Sequence, residues 1–230
     1  MSSHQRPRPQ DGLGIWIIDG GPERPALPSV PPPDRVIGVD RGGRHAIELG
    51  LTVDVLIGDL DSIDCDTRST IERSGATVAQ HPSDKDASDL ELAIEVAADL
   101  GASRIDVVSG GGGRLGHLLT GALLVGHPRR AALPLAVHIG DTVIRGFGPG
   151  STSRVVTPIG ADVTLLAVGG PAHSTTAGLR WNLRPDMPLE PGTSRGLSNV
   201  AVAEALVIDM HPDSQGCLVA VIAPGEDAGS

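Results

Sequence analysis

Five short apolar runs alternate with segments of helical periodicity in the first half of the sequence. This alternation constrains the fold more than any other feature. The runs cover residues 14–18, 35–39, 53–57, 76–80 and 104–109. Parallel strands need long crossover connections, which are usually helices, so such alternation is typical of a parallel sheet covered by helices. We therefore predict an α/β layer, with helices near residues 44–49, 67–74, 89–100 and 115–125.

The character of the sequence changes near Leu135, where helical periodicity ends. Short β-like runs broken by glycine and proline follow, and they predict a small antiparallel sandwich or partial barrel. The predicted strands cover residues 136–139, 142–147, 153–156, 162–167, 200–203, 205–210 and 217–222. We predict a disordered leader (1–13), a Rossmann-like α/β catalytic domain (14–147), an all-β domain (148–223) and a frayed tail (224–230).

Composition restricts the classes of function that the chain can have. The net charge of −10 argues against a broad nucleic-acid surface, and aromatic residues make up only 1% of the chain, which argues against base stacking. No apolar run approaches the roughly 18 residues that span a bilayer. The first ten residues lack the apolar core of a signal peptide, and the two cysteines, Cys65 and Cys217, stand far apart. We therefore expect a cytoplasmic protein with no membrane or nucleic-acid partner.

Carboxylates follow the second and third predicted strands. Asp40 directly follows the second strand. Asp59 and Asp61 come after the third strand, with one residue between them. Parallel strands bring their carboxyl ends to one edge of a sheet, where open α/β sheets bind ligands. Two hard oxygen donors in an Asp-x-Asp arrangement could bind one Mg²⁺ ion. An acidic turn that caps the next helix is the alternative, and spacing alone leaves both interpretations open.

Two further segments carry residues suited to phosphate binding. Ser88 and Glu91 form a capping box, which places Asp89 at a helix start, three residues after Asp86. Lys85, the single lysine of the chain, lies directly before Asp86. A run of four glycines, residues 110–113, then follows the fifth strand and leads through Arg114 into a helix. Exposed backbone N–H groups of such a run, with a fork-shaped guanidinium, suit an anion.

Another motif overlaps the glycine run. Gly111, Gly113 and Gly116 match the G-x-G-x-x-G dinucleotide fingerprint, and Asp141 stands near the position of a ribose-binding acid. That interpretation leaves Asp40, Asp59 and Asp61 without a role. The phosphate-binding motif G-x-x-x-x-G-K-[ST] does not occur, which excludes an ordinary P-loop kinase.

Six motifs in a fixed order resemble the thiamine pyrophosphokinase (thiamine diphosphokinase) family. Each motif is modest alone, but the ordered set is specific and extends from about Ile15 to Ile222. The motifs are Gly38-Val39-Asp40-Arg41-Gly42-Gly43, Ile57-Gly58-Asp59-Leu60-Asp61-Ser62, Lys85-Asp86-Ala87-Ser88-Asp89-Leu90-Glu91-Leu92-Ala93, Gly112-Gly113-Arg114-Leu115-Gly116-His117, Gly178-Leu179-Arg180-Trp181-Asn182-Leu183 and Gly196-Leu197-Ser198-Asn199.

The resemblance implies transfer of a diphosphoryl group from ATP to the hydroxyl of thiamine, giving AMP and thiamine diphosphate. It implies an α/β domain that binds ATP and Mg²⁺, a β-rich thiamine-binding domain, and a homodimer with active sites at the subunit interface. The implied residues fall into three groups: Asp59, Asp61 and Asp89 for Mg²⁺ and catalysis; Asp40, Gly42, Lys85, Asp86, Gly112, Gly113 and the catalytic Arg114 for ATP; and Trp181, Ser198 and Asn199 for thiamine.

The sequence departs from the family pattern at two positions. Gly116 stands where the family commonly has aspartate, and Gly121 where asparagine is usual. The acceptor is therefore the open question. A diphosphokinase acting on another hydroxymethyl heterocycle, such as a pterin, is one alternative, and a catalytically weak nucleotide-binding or regulatory module is another.

Overall fold

The computed structural model describes residues 12–82, 84 and 86–225, and within them the backbone divides into two compact units. The first unit ends at Leu115 and the second begins at Gly116. The predicted functional domains, 14–147 and 148–223, stay a prediction. No helix in the described ranges has both the length and the apolar character needed to cross a membrane.

The first unit is a parallel sheet with helices between its strands, as the alternation predicted. The elements are β1 (Gly14–Ile18), β2 (Arg35–Val39), α1 (Gly42–Glu48), β3 (Val55–Gly58), α2 (Cys65–Arg73), β4 (Thr77–Gln80), α3 (Asp89–Asp99) and β5 (Arg104–Ser109), and α4 (Leu115–Leu124) begins at the last residue of the unit. The strand order is β5-β1-β2-β3-β4, and every neighbouring pair is parallel.

Helices cover both faces of this sheet, which explains why its strands are continuously apolar. On one face Trp16, Ile18 and Leu56 pack with Ala46 of α1 and Ile71 of α2. Helix α3 contacts β1, β2 and β3 but contributes nothing to that cluster, which places it on the opposite face. Strands buried on both sides need no polar alternation, so the pattern is typical of a parallel sheet.

Local sequence signals set the ends of the helices. The Ser88 hydroxyl accepts a hydrogen bond from the Glu91 N–H at 3.2 Å, which confirms the predicted cap of α3. Asp64 caps α2 in the same way through the Thr67 N–H at 2.8 Å. Gly101 follows α3 with φ +76°, a backbone conformation that favours glycine.

The second unit is built from antiparallel strands, as predicted. One set has the order β11-β9-β13-β7-β6, and a separate three-stranded sheet has the order β10-β12-β8. The strands are β6 (Leu135–Ile139), β7 (Thr142–Phe147), β8 (Thr152–Val156), β9 (Asp162–Val168), β10 (Ser174–Ala177), β11 (Asn199–Val200), β12 (Ala205–Met210) and β13 (Cys217–Ala223).

A shared apolar core joins the two strand sets of the second unit. Leu206 and Ile208 of β12 pack in one buried cluster with Leu165 of β9 and Leu218 of β13. The additional antiparallel sheet therefore packs on the longer strand set through this core. The predicted strand 200–203 is shorter than expected, because β11 ends at Val200, and β10 was not predicted.

Candidate active site

The residues that follow four parallel strands meet at one edge of the first sheet. Strands β5, β1, β2 and β3 are successive neighbours, and their carboxyl ends point the same way. Asp19, Asp40 and Asp59 directly follow three of these strands. The Ser109 hydroxyl, at the end of β5, donates to Asp19 Oδ2 at 2.8 Å. This edge is the expected ligand position of an open α/β sheet.

Asp40 is held in a constrained position at this edge. Its φ is +48°, and its N–H donates to the Ile57 carbonyl at 2.8 Å, which fixes the turn out of β2 against β3. Burial, together with the nearby charges of Asp89, Asp59 and Asp61, raises the pKa of the Asp40 carboxyl to about 6, and burial is the largest cause. A hydrogen bond from the Leu60 N–H at 3.4 Å acts in the opposite direction.

The Asp-x-Asp segment is a tight turn with two unusual backbone conformations. Gly58 has φ +147°, and a Cβ at that position would overlap the Asp40 carboxylate. Leu60 has φ +65°, while its side chain is buried in the core beneath the turn. The Asp61 N–H donates to Asp59 Oδ1 at 3.1 Å. The adjacent Asp59 carboxylate raises the pKa of Asp61, mainly through a side-chain hydrogen bond.

The donor set of this edge fits a hard cation such as Mg²⁺. Asp40, Asp59, Asp61 and Asp89 interact electrostatically and offer only oxygen ligands. Among the residues described, no group of three or more His, Cys, Asp or Glu is arranged to hold a metal ion. Mg²⁺ is commonly held by one or two carboxylates together with substrate phosphates and water, so a preformed cage of protein ligands is not required.

The remaining acidic and basic residues of the predicted site lie around α3. Asp89 is its first residue and is half-buried, whereas Asp86 is exposed in the preceding turn. The predicted phosphate ligand Lys85 lies outside the described residues.

The run of four glycines packs against the loop after β1, a contact that no sequence pattern predicts. A Cβ on Gly112 would come within 2.8 Å of Glu23 Oε1, and one on Gly113 within 3.1 Å of Pro22. Gly110 lies against the backbone carbonyl of Glu23. These glycines therefore accommodate the loop after β1. Arg114, at the end of the run, is exposed.

Gly42 has a packing role that its sequence motif does not indicate. It is buried at the start of α1, where a Cβ would overlap the Ile18 carbonyl. The close approach of α1 to β1 therefore requires glycine at this position.

The three predicted thiamine-binding residues come together in the second unit. Asn199 is buried and accepts from the Trp181 N–H at 3.1 Å, while its side-chain amide donates to the Trp181 carbonyl at 2.7 Å. Ser198 precedes it with φ +54° and is exposed. The Trp181 ring is 59% exposed, and the Arg180 guanidinium lies 5.5 Å from its centroid. Asn199 thus fixes the loop that presents an exposed aromatic ring.

The fold and the strand edge define an α/β protein whose candidate ligand site lies at the carboxyl ends of parallel strands. The family model for the catalytic domain of thiamin pyrophosphokinase matches residues 32–135. A thiamine pyrophosphokinase of Bacillus subtilis (strain 168) is 28% identical over 139 residues, which make up 59% of this chain. The match spans 65% of the length of that curated relative.

Solved structures of thiamine pyrophosphokinases have a similar fold. The Bacillus subtilis thiamine pyrophosphokinase structure has a TM-score of 0.76 at 21% identity, with 92% of this chain and 99% of that chain covered. The Geobacillus thermodenitrificans thiamin pyrophosphokinase structure also has a TM-score of 0.76, at 24% identity, with 94% and 99% covered. The predicted resemblance to the thiamine pyrophosphokinase family is confirmed, and so is the mixed α/β fold with additional antiparallel strands.

Proposed function

We propose that this protein is a thiamine diphosphokinase, which transfers a diphosphoryl group from ATP to the hydroxyl of thiamine. The observation that carries the proposal is the match of the catalytic-domain family model to residues 32–135. That range contains every predicted site residue of the first unit, from Asp40 to Arg114. No observation favours another hydroxymethyl acceptor, such as a pterin, or a non-catalytic regulatory module.

The proposed reaction makes one bond and breaks one. The hydroxyl oxygen of thiamine attacks the β-phosphorus of ATP, and the bond from that phosphorus to the oxygen bridging it to the α-phosphorus breaks. AMP leaves with that oxygen, and the hydroxyl proton passes to solvent. Phosphoryl transfer depends on positioning and charge neutralisation more than on covalent chemistry by the protein.

Asp59, Asp61 and Asp89, with Asp40 beside them, would hold Mg²⁺ at the strand edge. After burial, the charges of Asp89, Asp59 and Asp61 contribute to the raised pKa of Asp40. This repulsion supports the assignment, because a bound cation would relieve it. Bound Mg²⁺ neutralises charge on the transferred phosphates.

Residues on both sides of the carboxylates would bind the rest of ATP. Arg114 and Lys85 would contact the phosphates, with Asp86, Gly42, Gly112 and Gly113 lining the nucleotide site. Arg114 is exposed and available for this role. The loop at Pro22 and Glu23 packs on the glycines, so any phosphate contact there is made beside that loop.

The loop of Trp181, Ser198 and Asn199 would bind thiamine. An exposed indole ring can stack on the cationic thiazolium, and such a contact contributes about 0.5–2 kcal/mol. Arg180 already places a cation near that ring. We therefore assign thiamine to the opposite face of the Trp181 ring.

We further propose a cytoplasmic homodimer with active sites at the subunit interface. Leu115, Leu119 and Leu123 of α4 are 68%, 52% and 45% exposed and follow one another at a spacing of four. Such an apolar helix face is typical of an interaction surface. The free cysteines Cys65 and Cys217 are compatible with a reducing compartment.

Replacement of the metal ligands tests the proposal. Asp59→Asn and Asp61→Asn should each lower the rate of thiamine diphosphate and AMP formation by about a hundredfold or more, because charge neutralisation is lost. Asp66→Asn, an exposed carboxylate on α2, is the matched control and should retain activity. Normal turnover by both site variants would refute the metal assignment. AMP release with another alcohol but not with thiamine would refute the acceptor.

The thiamine subsite has a separate test. Trp181→Ala should raise the KM for thiamine about three- to thirtyfold, in line with a lost cation–π contact, and leave the KM for ATP unchanged. A selective rise in the KM for ATP would show that Trp181 belongs to the nucleotide site.

A further inference from the structure

A polar pocket that no predicted residue role explains opens beside the acidic strand edge. Its volume is about 470 Å³, within the range of small-molecule sites. We call it the arginine pocket and define it by the six residues that carry its charge and polarity: Arg24, Arg41, Arg44, His45, Glu48 and Ser62. Arg41 directly follows Asp40, and Ser62 directly follows Asp61, so the pocket adjoins the carboxylates in the chain.

The pocket is cationic in a chain of net charge −10. Arg44 donates to Glu48 Oε1 at 2.8 Å, so this arginine is already neutralised. Arg24 is exposed and Arg41 half-buried, and among the described residues neither guanidinium group has a hydrogen bond or ion pair. Two uncompensated guanidinium groups at one concave surface favour an anion, and phosphate suits their fork-shaped donors.

A buried ring nitrogen of His45 independently indicates a missing partner. His45 is 5% exposed, and its Nε2 must donate to the Gly21 carbonyl at 3.0 Å, because a carbonyl can only accept. Its Nδ1 is buried without a hydrogen-bond partner in the described part of the chain, and lies 3.7 Å from Glu48 Oε2. With the proton on Nε2, Nδ1 is a hydrogen-bond acceptor, and buried polar atoms are nearly always satisfied. A protonated phosphate oxygen, or a water molecule bound beside the phosphate, would donate to this atom.

We propose that the arginine pocket binds a phosphate group of the donor nucleotide, with Arg24 and Arg41 as its ligands. This inference rests on the proposed diphosphokinase function, and it adds a binding subsite to it. Phosphates at the carboxylates require a cation to offset repulsion, whereas phosphate in the arginine pocket does not. Donor contacts at the carboxylates should therefore require a metal ion, whereas donor contacts in the arginine pocket should form without one.

Calorimetric titration with inorganic pyrophosphate, AMP and adenosine in excess EDTA isolates the metal-independent part. The wild type should bind pyrophosphate and AMP without metal, and adenosine at least tenfold more weakly than AMP. Arg24→Ala and Arg41→Ala should each weaken pyrophosphate binding about tenfold or more, as expected for a lost charged hydrogen bond. Arg73→Ala, which removes an exposed arginine of α2, is the matched control and should bind normally.

Three outcomes would overturn the inference: no pyrophosphate binding by the wild type in EDTA, unchanged binding by both pocket variants, or an equal loss in Arg73→Ala. Unchanged melting temperatures show that the variants remain folded. Failure of the proposed function is seen separately, as an absence of thiamine diphosphate with Mg-ATP. Conversely, if both pocket variants form product with an unchanged KM for ATP, the phosphate subsite is refuted and the diphosphokinase function stands.

Discussion

Asp40 shows most directly how the fold creates the chemistry of the site. Its backbone hydrogen bond to Ile57 and its φ of +48° hold the carboxylate at the edge between β2 and β3. Burial and three neighbouring carboxylates raise its pKa to about 6. A carboxylate kept close to others at a cost in stability is typical of a site that binds a cation.

The raised pKa of Asp40 predicts a specific pH dependence of stability. Because the folded-state pKa of about 6 exceeds the ordinary aspartate pKa of 3.8, the folded protein retains a proton that the unfolded chain has lost between these pH values. The free energy of unfolding should therefore fall as pH rises from about 4 to 6. Asp40→Asn should remove this fall and be more stable than the wild type at pH 7.5, by on the order of 1 kcal/mol after allowance for solvent screening.

Urea unfolding of both proteins across this pH range measures the effect. The difference between the two stability curves isolates Asp40 from the other titrating groups. Curves that run parallel from pH 4 to 7.5 would show that folding does not raise the pKa of Asp40.

Gly58 is the residue whose replacement should disturb the carboxylate edge most. It combines φ +147° with a site where a Cβ would overlap the Asp40 carboxylate, so Gly58→Ala should destabilise the fold by about 2–4 kcal/mol, through strain together with overlap. Gly75→Ala is the matched control, because Gly75 has φ +90° but open space around its Cα. Thermal unfolding measures the loss of stability in both variants. Equal losses would contradict the prediction, because they would show that the overlap with Asp40 does not destabilise the fold.

At the scale of elements, α3 places Asp89 at the site, and its cap fixes where the helix begins. Ser88→Ala should lower the free energy of unfolding by about 1 kcal/mol, because the Glu91 N–H loses its acceptor. Ser88→Asp should restore it. Ser69→Ala, in the middle of the exposed face of α2, should change stability by only a few tenths of a kcal/mol. Chemical denaturation distinguishes these results, and an equal effect of both alanine variants would contradict the capping role.

Elements with a strong local pattern could be predicted from the sequence. Strands β1, β2 and β5 and the capped start of α3 have the predicted bounds, because apolar runs and a capping box determine them locally. Strand β10, Ser174–Ala177, could not be predicted in this way, because its residues are polar or small. It forms through pairing with β12, and the burial of Ser174 and Thr176 depends on that partner.

The candidate site likewise contains parts that could be predicted from the sequence and parts that could not. The carboxylates after β2 and β3 could be placed from the sequence, because parallel strands align their ends. The packing of Glu23 and Pro22 on the glycine run could not be predicted, since it joins residues about 90 positions apart through an irregular loop. The arginine pocket also depends on that loop, which supplies Arg24.

At the scale of the whole molecule, the residues proposed to bind the donor and those proposed to bind thiamine belong to different units. The carboxylates and the arginine pocket lie in the first unit, and Trp181, Ser198 and Asn199 lie in the second. Diphosphoryl transfer needs the acceptor hydroxyl in line with the donor phosphate. A dimer could supply that proximity by joining the first unit of one subunit to the second unit of its partner.

The exposed leucines of α4 allow this assembly to be tested. Residues four apart lie on the same face of a helix, so Leu115, Leu119 and Leu123 form one apolar stripe. Leu119→Glu would place a charge in the centre of that stripe and should convert a wild-type dimer into a monomer. Ile159→Glu, at an apolar residue that is 66% exposed outside the helices and strands, should leave the dimer intact. Sedimentation velocity measures the association state.

If the active site is shared between subunits, loss of the dimer should abolish thiamine diphosphate formation. The monomer should still show a thermal unfolding transition, which would demonstrate that it remains folded. A monomeric wild type with full activity would refute the shared site, and a dimeric Leu119→Glu variant would exclude α4 from the interface.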